Sequence, residues 1–122
     1  MDEDKILIVM TSGPETPRRC STPFFMAHIA AAMDYDVTMF FTIDGILVLK
    51  KGLADDLYSK EGGKSVGEYL QDAMEAGVQF KACTAATELH DLTPEDLIDG
   101  VEMVGGATLW QIADECNTKL TF

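Results

Sequence analysis

Four short apolar runs, each followed by a stretch with helical patterning, constrain the fold of this chain more than any other feature. The runs predict β-strands at residues 5–10, 37–42, 78–82 and 101–104, because they are rich in β-branched and aromatic residues and bounded by turn residues. Strands that alternate with helices form parallel sheets. We therefore expect an α/β fold, a three-layer α/β/α sandwich with a mainly parallel sheet of about five strands, the fifth strand being residues 119–122.

The segments between these runs carry helix start and stop signals. Ser21, Thr22 and Pro23 are typical of a helix start, Ser65 of a second one, and Gly77 of a helix end. These signals predict helices over residues 24–33, 66–76 and 107–115, with a short helix after Thr93. Residues 43–52 fit a short helix or an extra strand equally well, and residues 53–64 are expected to form a loop.

Length and charge limit the classes of function. With 122 residues, of which 47% are hydrophobic, we expect a single domain over residues 1–122. Nine Lys and Arg residues face 21 Asp and Glu residues, and the net charge of -12 disfavours direct binding of nucleic acid or of an anionic membrane surface. The N-terminus lacks the basic region of a signal peptide, and three cysteines do not make a disulfide framework. We expect a cytoplasmic protein.

The cysteine at the end of the third predicted strand is the strongest candidate for chemistry. In open α/β sheets, ligands bind beyond the carboxyl ends of the strands, and Cys83 lies at that edge. If a helix starts directly after it, the backbone N–H groups of Thr84 and Ala85 point towards the sulfur and stabilise a thiolate. The alternative is that Cys83 only fills space beneath a neighbouring helix.

Basic and glycine residues at the same edge suggest an anion site. The alternatives are a solvated loop for Arg18 and Arg19 and a close-packing turn for Gly105 and Gly106. Arg18 and Arg19 are two of only nine basic residues, and guanidinium groups bind anions or keep a nearby thiolate charged. Gly105 and Gly106 precede a helix and resemble a phosphate-binding turn only loosely, because no Walker lysine or G-x-G-x-x-G pattern is present. A non-catalytic module that binds a small anion or a nucleotide is therefore an alternative function.

A second thiol permits another alternative. Cys20 also falls at the carboxyl edge, so a thiol-redox protein that cycles a Cys20–Cys83 disulfide is possible if the Cα atoms approach within about 7 Å. His28 and His90 do not form a strong metal-binding spacing with these cysteines. We expect no metal and no cofactor.

The chain resembles the DsrE/DsrF-like family of small sulfur-relay proteins, which includes the TusD-type subunits. The similar segments are, in order, "KILIVMTSGPE", "PFFMAHIAAAM", "YDVTMFFTIDGILVLKKG", "VQFKACTAATELH" and "GVEMVGGATLWQIADE". The resemblance implies a mainly parallel five-strand sheet between helices and assembly into homo-oligomers, trimers or hexamers. It also implies that Cys83 carries a persulfide and passes the outer sulfur to a partner's cysteine.

The leading hypothesis is therefore a sulfur-carrier or sulfurtransferase-like protein. Its thiolate at Cys83 attacks a sulfur donor, holds a persulfide and is then attacked by an acceptor thiol. Donor and acceptor proteins are the partners that this hypothesis requires.

Overall fold

The computed structural model describes residues 4–122. Five strands in this part of the chain form one sheet, in the order β4-β3-β2-β1-β5. The strands, in chain order, are β1 Lys5–Met10, β2 Asp36–Phe41, β3 Gln79–Cys83, β4 Val101–Val104 and β5 Thr118–Thr121. Every neighbouring pair is parallel. The predicted α/β class and the parallel sheet are confirmed.

Helices separate the strands at the predicted places. They are α1 Thr22–Ala32, α2 Val66–Glu75, α3 Thr84–Leu89 and α4 Gly106–Glu115, with 3₁₀ turns at Pro17–Arg19, Ile43–Leu49, Ala54–Asp56 and Pro94–Asp96. The ambiguous segment after β2 is thus a 3₁₀ helix rather than a strand, and the short helix after Thr93 is a single 3₁₀ turn closed by a capping box with Asp96. Among residues 4–122, no helix is long and apolar enough to cross a bilayer.

The strand order assigns the helices to two faces of the sheet. The chain steps from β1 through β2 and β3 to β4 in one direction and then returns to place β5 on the other side of β1. Because such crossovers are right-handed, α1, α2 and α3 cover one face and α4 covers the other. On the first face, α1 packs against α2, and the rings of Phe24, Phe41 and Phe80 form a fully or almost fully buried cluster.

The face beneath α4 is less completely covered. Side chains alternate along a strand, so Lys81 and Cys83 point to the face opposite Phe80, which is the α4 face. No residue of α4 is fully buried. The Lys81 ammonium, whose side chain is 16% exposed, pairs with Glu102 on β4, with 2.5 Å between Nζ and Oε2. This face of the sheet is therefore more polar and more open than the first.

Two glycines allow the loop after β1 and the loop after β2 to pack closely at the carboxyl edge of the sheet. A Cβ atom added at Gly45 would overlap the carbonyl oxygen of Met10, and one added at Gly13 would overlap the carbonyl oxygen of Asp44. The loop after β1 and the loop after β2 are thus in direct backbone contact. The carboxyl edge is therefore closely packed at the ends of β1 and β2.

Candidate functional site

Cys83 is the last residue of β3 and the N-cap residue of α3. Its backbone is extended, with φ -73° and ψ 122°, and α3 begins at Thr84, so the condition that a helix starts directly after the cysteine is met. The Cys83 side chain itself makes no cap hydrogen bond. The first N–H groups of a helix lack intrahelical partners and lie around the N-cap position. Cys83 is only 9% exposed, whereas Thr84 and Ala85 beside it are exposed.

Side-chain hydrogen bonds hold the start of α3 in place. The Thr84 hydroxyl donates to the carbonyl oxygen of Val104 at 3.0 Å, and the Thr87 hydroxyl donates to the carbonyl oxygen of Thr84 at 2.6 Å. Val104 is also the register partner of Cys83 in the parallel pair of β3 and β4. The first turn of α3 is therefore tied to β4 next to the thiol.

The glycine pair lies beside Cys83. Gly105 is the N-cap of α4 and Gly106 its first residue, directly after β4. Gly105 has an ordinary φ of -92°, and no atom lies within 4 Å of a Cβ built at either glycine. The two residues thus border open space next to the end of β3, so the structure brings them and Cys83 to one place.

The arginine pair lies elsewhere. Arg18 and Arg19 are exposed and line an open cavity of about 450 Å³ together with Tyr58 and Ser59. The Ser59 hydroxyl hydrogen-bonds the hydroxyl of Ser21, the N-cap of α1, at 2.6 Å. This cavity is therefore on the side of the sheet that α1 covers.

The position of Cys83 separates it from that cavity. β1 and β3 have β2 between them, so the loops that follow these two strands start about 10 Å apart, and the Cys83 side chain points to the α4 face. Gly105 and Gly106 follow β4, one strand farther from β1. The arginines and the glycines that the sequence grouped as one anion site are not brought together by the fold.

Cys20 is fully buried. Its Sγ lies 3.2 Å from the carbonyl oxygen of Gly13 and 3.5 Å from that of Thr16, to which the thiol donates. Burial raises the pKa of the Cys20 thiol to about 11, so the group is protonated at neutral pH and is a poor nucleophile. Cys20, Cys83 and Cys116 are free cysteines, and the Cys20–Cys83 redox pair stays a prediction.

The turn after β2 has an unusual backbone and an unexpected partner. Ile43 has a φ of 55°, a conformation that β-branched residues rarely adopt. Nε2 of His90, the C-cap residue of α3, lies 3.1 Å from the carbonyl oxygen of Ile43 and 3.2 Å from Oδ1 of Asp44. The Asp-Gly pair at Asp44 and Gly45 is a signal for such a turn. The sequence patterns left residues 43–52 open between a helix and a strand, weighed His90 as a metal ligand, and did not predict this contact.

Comparison with known families places this geometry in context. The model of the DsrE/DsrF-like family matches residues 4–122. The chain belongs to the DsrE/DsrF-like family. The resemblance inferred from the sequence segments is thereby confirmed over nearly the whole chain.

Relatives of this DsrE/DsrF-like chain include proteins described as uncharacterized. MJ0760 of Methanocaldococcus jannaschii is 25% identical over 95% of this chain and 42% of its own length. MK0008 of Methanopyrus kandleri is 30% identical over 82% of this chain and 78% of its own length. This chain thus spans less than half of the MJ0760 protein.

Solved structures share the fold. The YchN protein of E. coli superimposes with a TM-score of 0.82 at 24% identity, covering 98% of this chain and 99% of that one. BT1422 of Bacteroides thetaiotaomicron, described as a conserved protein of unknown function, gives 0.71 at 13% identity, covering 98% and 95%. These similarities show that the DsrE/DsrF-like α/β/α architecture predicted from the sequence is the one that the chain adopts.

Proposed function

We propose that this DsrE/DsrF-like protein is a sulfur carrier that holds a persulfide on Cys83. The observation that carries the proposal is the position of this thiol at the end of a parallel strand, as the N-cap of a helix, next to the open space at Gly105 and Gly106. Family membership supports it, because the family is generally linked to sulfur relay. Cys83 is nearly buried, and the exposed residues Gly105 and Gly106 beside it are where a partner would approach.

The transfer needs no oxidant or reductant. The Cys83 thiolate attacks the outer sulfur of a donor persulfide, a bond forms between the two sulfurs, and the donor leaves as a thiolate. In the second step an acceptor thiolate attacks the outer sulfur on Cys83, which releases the Cys83 thiolate and leaves the persulfide on the acceptor. A donor protein and an acceptor protein are the partners of this cycle.

The experiment that tests the proposal is intact-protein mass spectrometry after incubation with a persulfide donor such as glutathione persulfide. We expect the parent protein to gain the mass of one sulfur atom, to lose it on reduction, and to pass it to an added low-molecular-weight thiol. The gain is expected because Cys83 is the thiol placed for attack, whereas burial and a raised pKa keep Cys20 protonated.

Matched serine variants assign the sulfur to one thiol. Cys83→Ser should abolish the gain, and Cys20→Ser should leave it unchanged if the variant keeps its far-UV circular dichroism spectrum. An unmodified parent protein, or a Cys83→Ser protein that still gains and transfers sulfur, would rule out Cys83 as the carrier. The first of these results would favour the anion-binding module, with Arg18 and Arg19 as its basic residues.

We also propose that the protein assembles as a homo-oligomer, a trimer or a hexamer. The supporting observation is the outer surface of α1, where Phe25, Ile29 and Met33 recur every four residues and are 49%, 37% and 61% exposed. Residues at this spacing lie on one side of a helix. A contiguous apolar surface of this kind marks an interaction site, and association would remove it from water.

Light scattering tests the assembly and its surface together. We expect the parent protein to have the mass of a trimer or a hexamer, and the Ile29→Glu variant to shift towards monomer, because a buried glutamate without a partner is costly. Leu89→Glu changes a side chain that is 63% exposed on α3 and serves as the charge control. A monomeric parent protein would refute the assembly, and an Ile29→Glu protein of unchanged mass would refute the α1 surface.

A cytoplasmic location completes the proposal. The cysteines at positions 20, 83 and 116 are all free in the structure, as thiols are in a reducing compartment. A reducing compartment also keeps the Cys83 thiol available for persulfide transfer.

A further inference from the structure

We propose that His90 is a positioning residue for Cys83, which acts by clamping the far end of α3 to the strained turn at Ile43 and Asp44. This role deepens the proposed function and rests on it in one respect, that Cys83 is the reactive thiol. Nothing in the carrier mechanism itself requires His90.

The turn at Ile43 stores strain that a glycine would avoid. A β-branched residue with φ near 55° has its Cβ crowded against its own backbone, and such conformations persist only where the surrounding structure holds them. The Ile43 side chain is 51% exposed, so burial in the core does not explain the residue. The contacts that hold the turn are the backbone packing of Gly45 on Met10 and the imidazole of His90.

The imidazole makes both of its contacts with this turn. Nε2 of His90 lies 3.1 Å from the carbonyl oxygen of Ile43 and 3.2 Å from Oδ1 of Asp44, so an Nε2–H donates into a pair of oxygens. The His90 side chain is 20% exposed and that of Asp44 is 49% exposed. The contact is therefore shielded from water on the histidine side.

The clamp is connected to Cys83 through α3. This helix has six residues and is about 9 Å long, too short to be stable on its own. Its start is tied to β4 through the hydroxyl of Thr84, and its end is tied to the turn after β2 through His90. The segment Ile43–Leu49 also packs against α3.

Strand register places the turn at Ile43 next to Cys83. Phe41 pairs with Ala82, so the next residues along the two strands, Thr42 and Cys83, lie side by side. The turn at Ile43 is therefore adjacent to the end of β3 at which α3 begins. If the end of α3 is released, its first turn, which begins directly after Cys83, is held less firmly and opens more often.

The test is site-resolved alkylation of the folded protein with N-ethylmaleimide, followed by peptide mass spectrometry. In the His90→Ala variant we expect the Cys83 alkylation rate to rise about fivefold. The loss of one hydrogen bond shifts the local opening equilibrium by about this factor, and alkylation takes place in the open state. Cys20 is the internal control, because it is fully buried in another part of the edge and reports global unfolding. Its rate is expected to be unchanged.

Two further variants separate positioning from a general loss of stability. His90→Gln keeps an N–H donor at a similar reach and should restore the parent rate at Cys83. Ile43→Gly removes the strain, since glycine adopts a positive φ without cost, so adding His90→Ala to it should change the rate less than about twofold.

The proposal is overturned if His90→Ala leaves the Cys83 rate within about twofold of the parent, an interval set by the size of one hydrogen bond. It is also overturned if the Cys20 rate rises equally, or if His90→Gln behaves like His90→Ala. Alkylation requires no sulfur donor, so this result is independent of the persulfide experiment. A protein that takes up sulfur but shows no His90 effect refutes only the clamp.

Discussion

Replacing Gly45 with alanine is expected to lower the free energy of unfolding by about 3 kcal/mol or more, because the added Cβ would overlap the backbone carbonyl of Met10. Neither atom belongs to a flexible side chain that can turn away. Met10 is the last residue of β1, a central strand, and the loop that contains Gly45 also carries the strained turn. The substitution must therefore move a strand or a loop of the carboxyl edge.

Gly105→Ala is the matched control. Gly105 lies at the same edge and has a φ of -92°, and no atom beyond its chain neighbours lies within 4 Å of an added Cβ. Its substitution should therefore lower the free energy of unfolding by no more than about 1 kcal/mol, the cost of replacing glycine with alanine at an N-cap. Urea unfolding followed by circular dichroism measures both variants. Equal stability of Gly45→Ala and the parent protein would contradict the close backbone contact between the two loops.

Replacing Phe41 with alanine is expected to cost about 3–5 kcal/mol. The Phe41 side chain is fully buried, and its ring centroid lies 5.2 Å from that of Phe80 and 5.8 Å from that of Phe24. The three rings join β2, β3 and α1, so the truncation leaves a cavity that rigid strands cannot close. The lost stability has two parts: the free energy of moving the ring out of water and the cost of the cavity that the truncation leaves.

Chemical denaturation of two companion variants checks this explanation. Phe41→Leu keeps much of the apolar volume and should lose clearly less stability than Phe41→Ala. Leu89→Ala truncates a side chain that is 63% exposed and should stay within about 0.5 kcal/mol of the parent. If Phe41→Ala were no more destabilising than Leu89→Ala, the aromatic cluster would not be the core that joins the sheet to α1.

Local patterns in the sequence were sufficient to predict most of the elements. β1 and β4 begin and end at the predicted residues, and Ser65 begins α2 with a complete capping box, in which Glu68 is the partner. These signals depend on neighbouring residues only, because apolar runs and caps act over a few positions. The start of α3 directly after Cys83 was a condition of the sequence interpretation rather than a prediction, and the structure meets it.

The candidate site was only partly predictable. The carboxyl-edge rule placed Cys83, Gly105 and Gly106 at one edge, and the structure brings them together because β3 and β4 are neighbours in the sheet. The rule also grouped Arg18 and Arg19 with them, although these two residues line an open cavity on the face of the sheet that α1 covers. The rule identifies an edge of the sheet, but the distance along that edge depends on strand order.

The sequence by itself determined the parallel α/β class, the position of Cys83 at a strand end and the family to which the chain belongs. Only the tertiary structure decided the strand order, the burial of Cys20, and the contact between His90 and the turn at Ile43, 47 residues away. Periodicity and capping reflect interactions between near neighbours. Burial, a positive φ at an isoleucine and a clamp between two loops arise from contacts between distant segments, which exist only after the sheet has assembled.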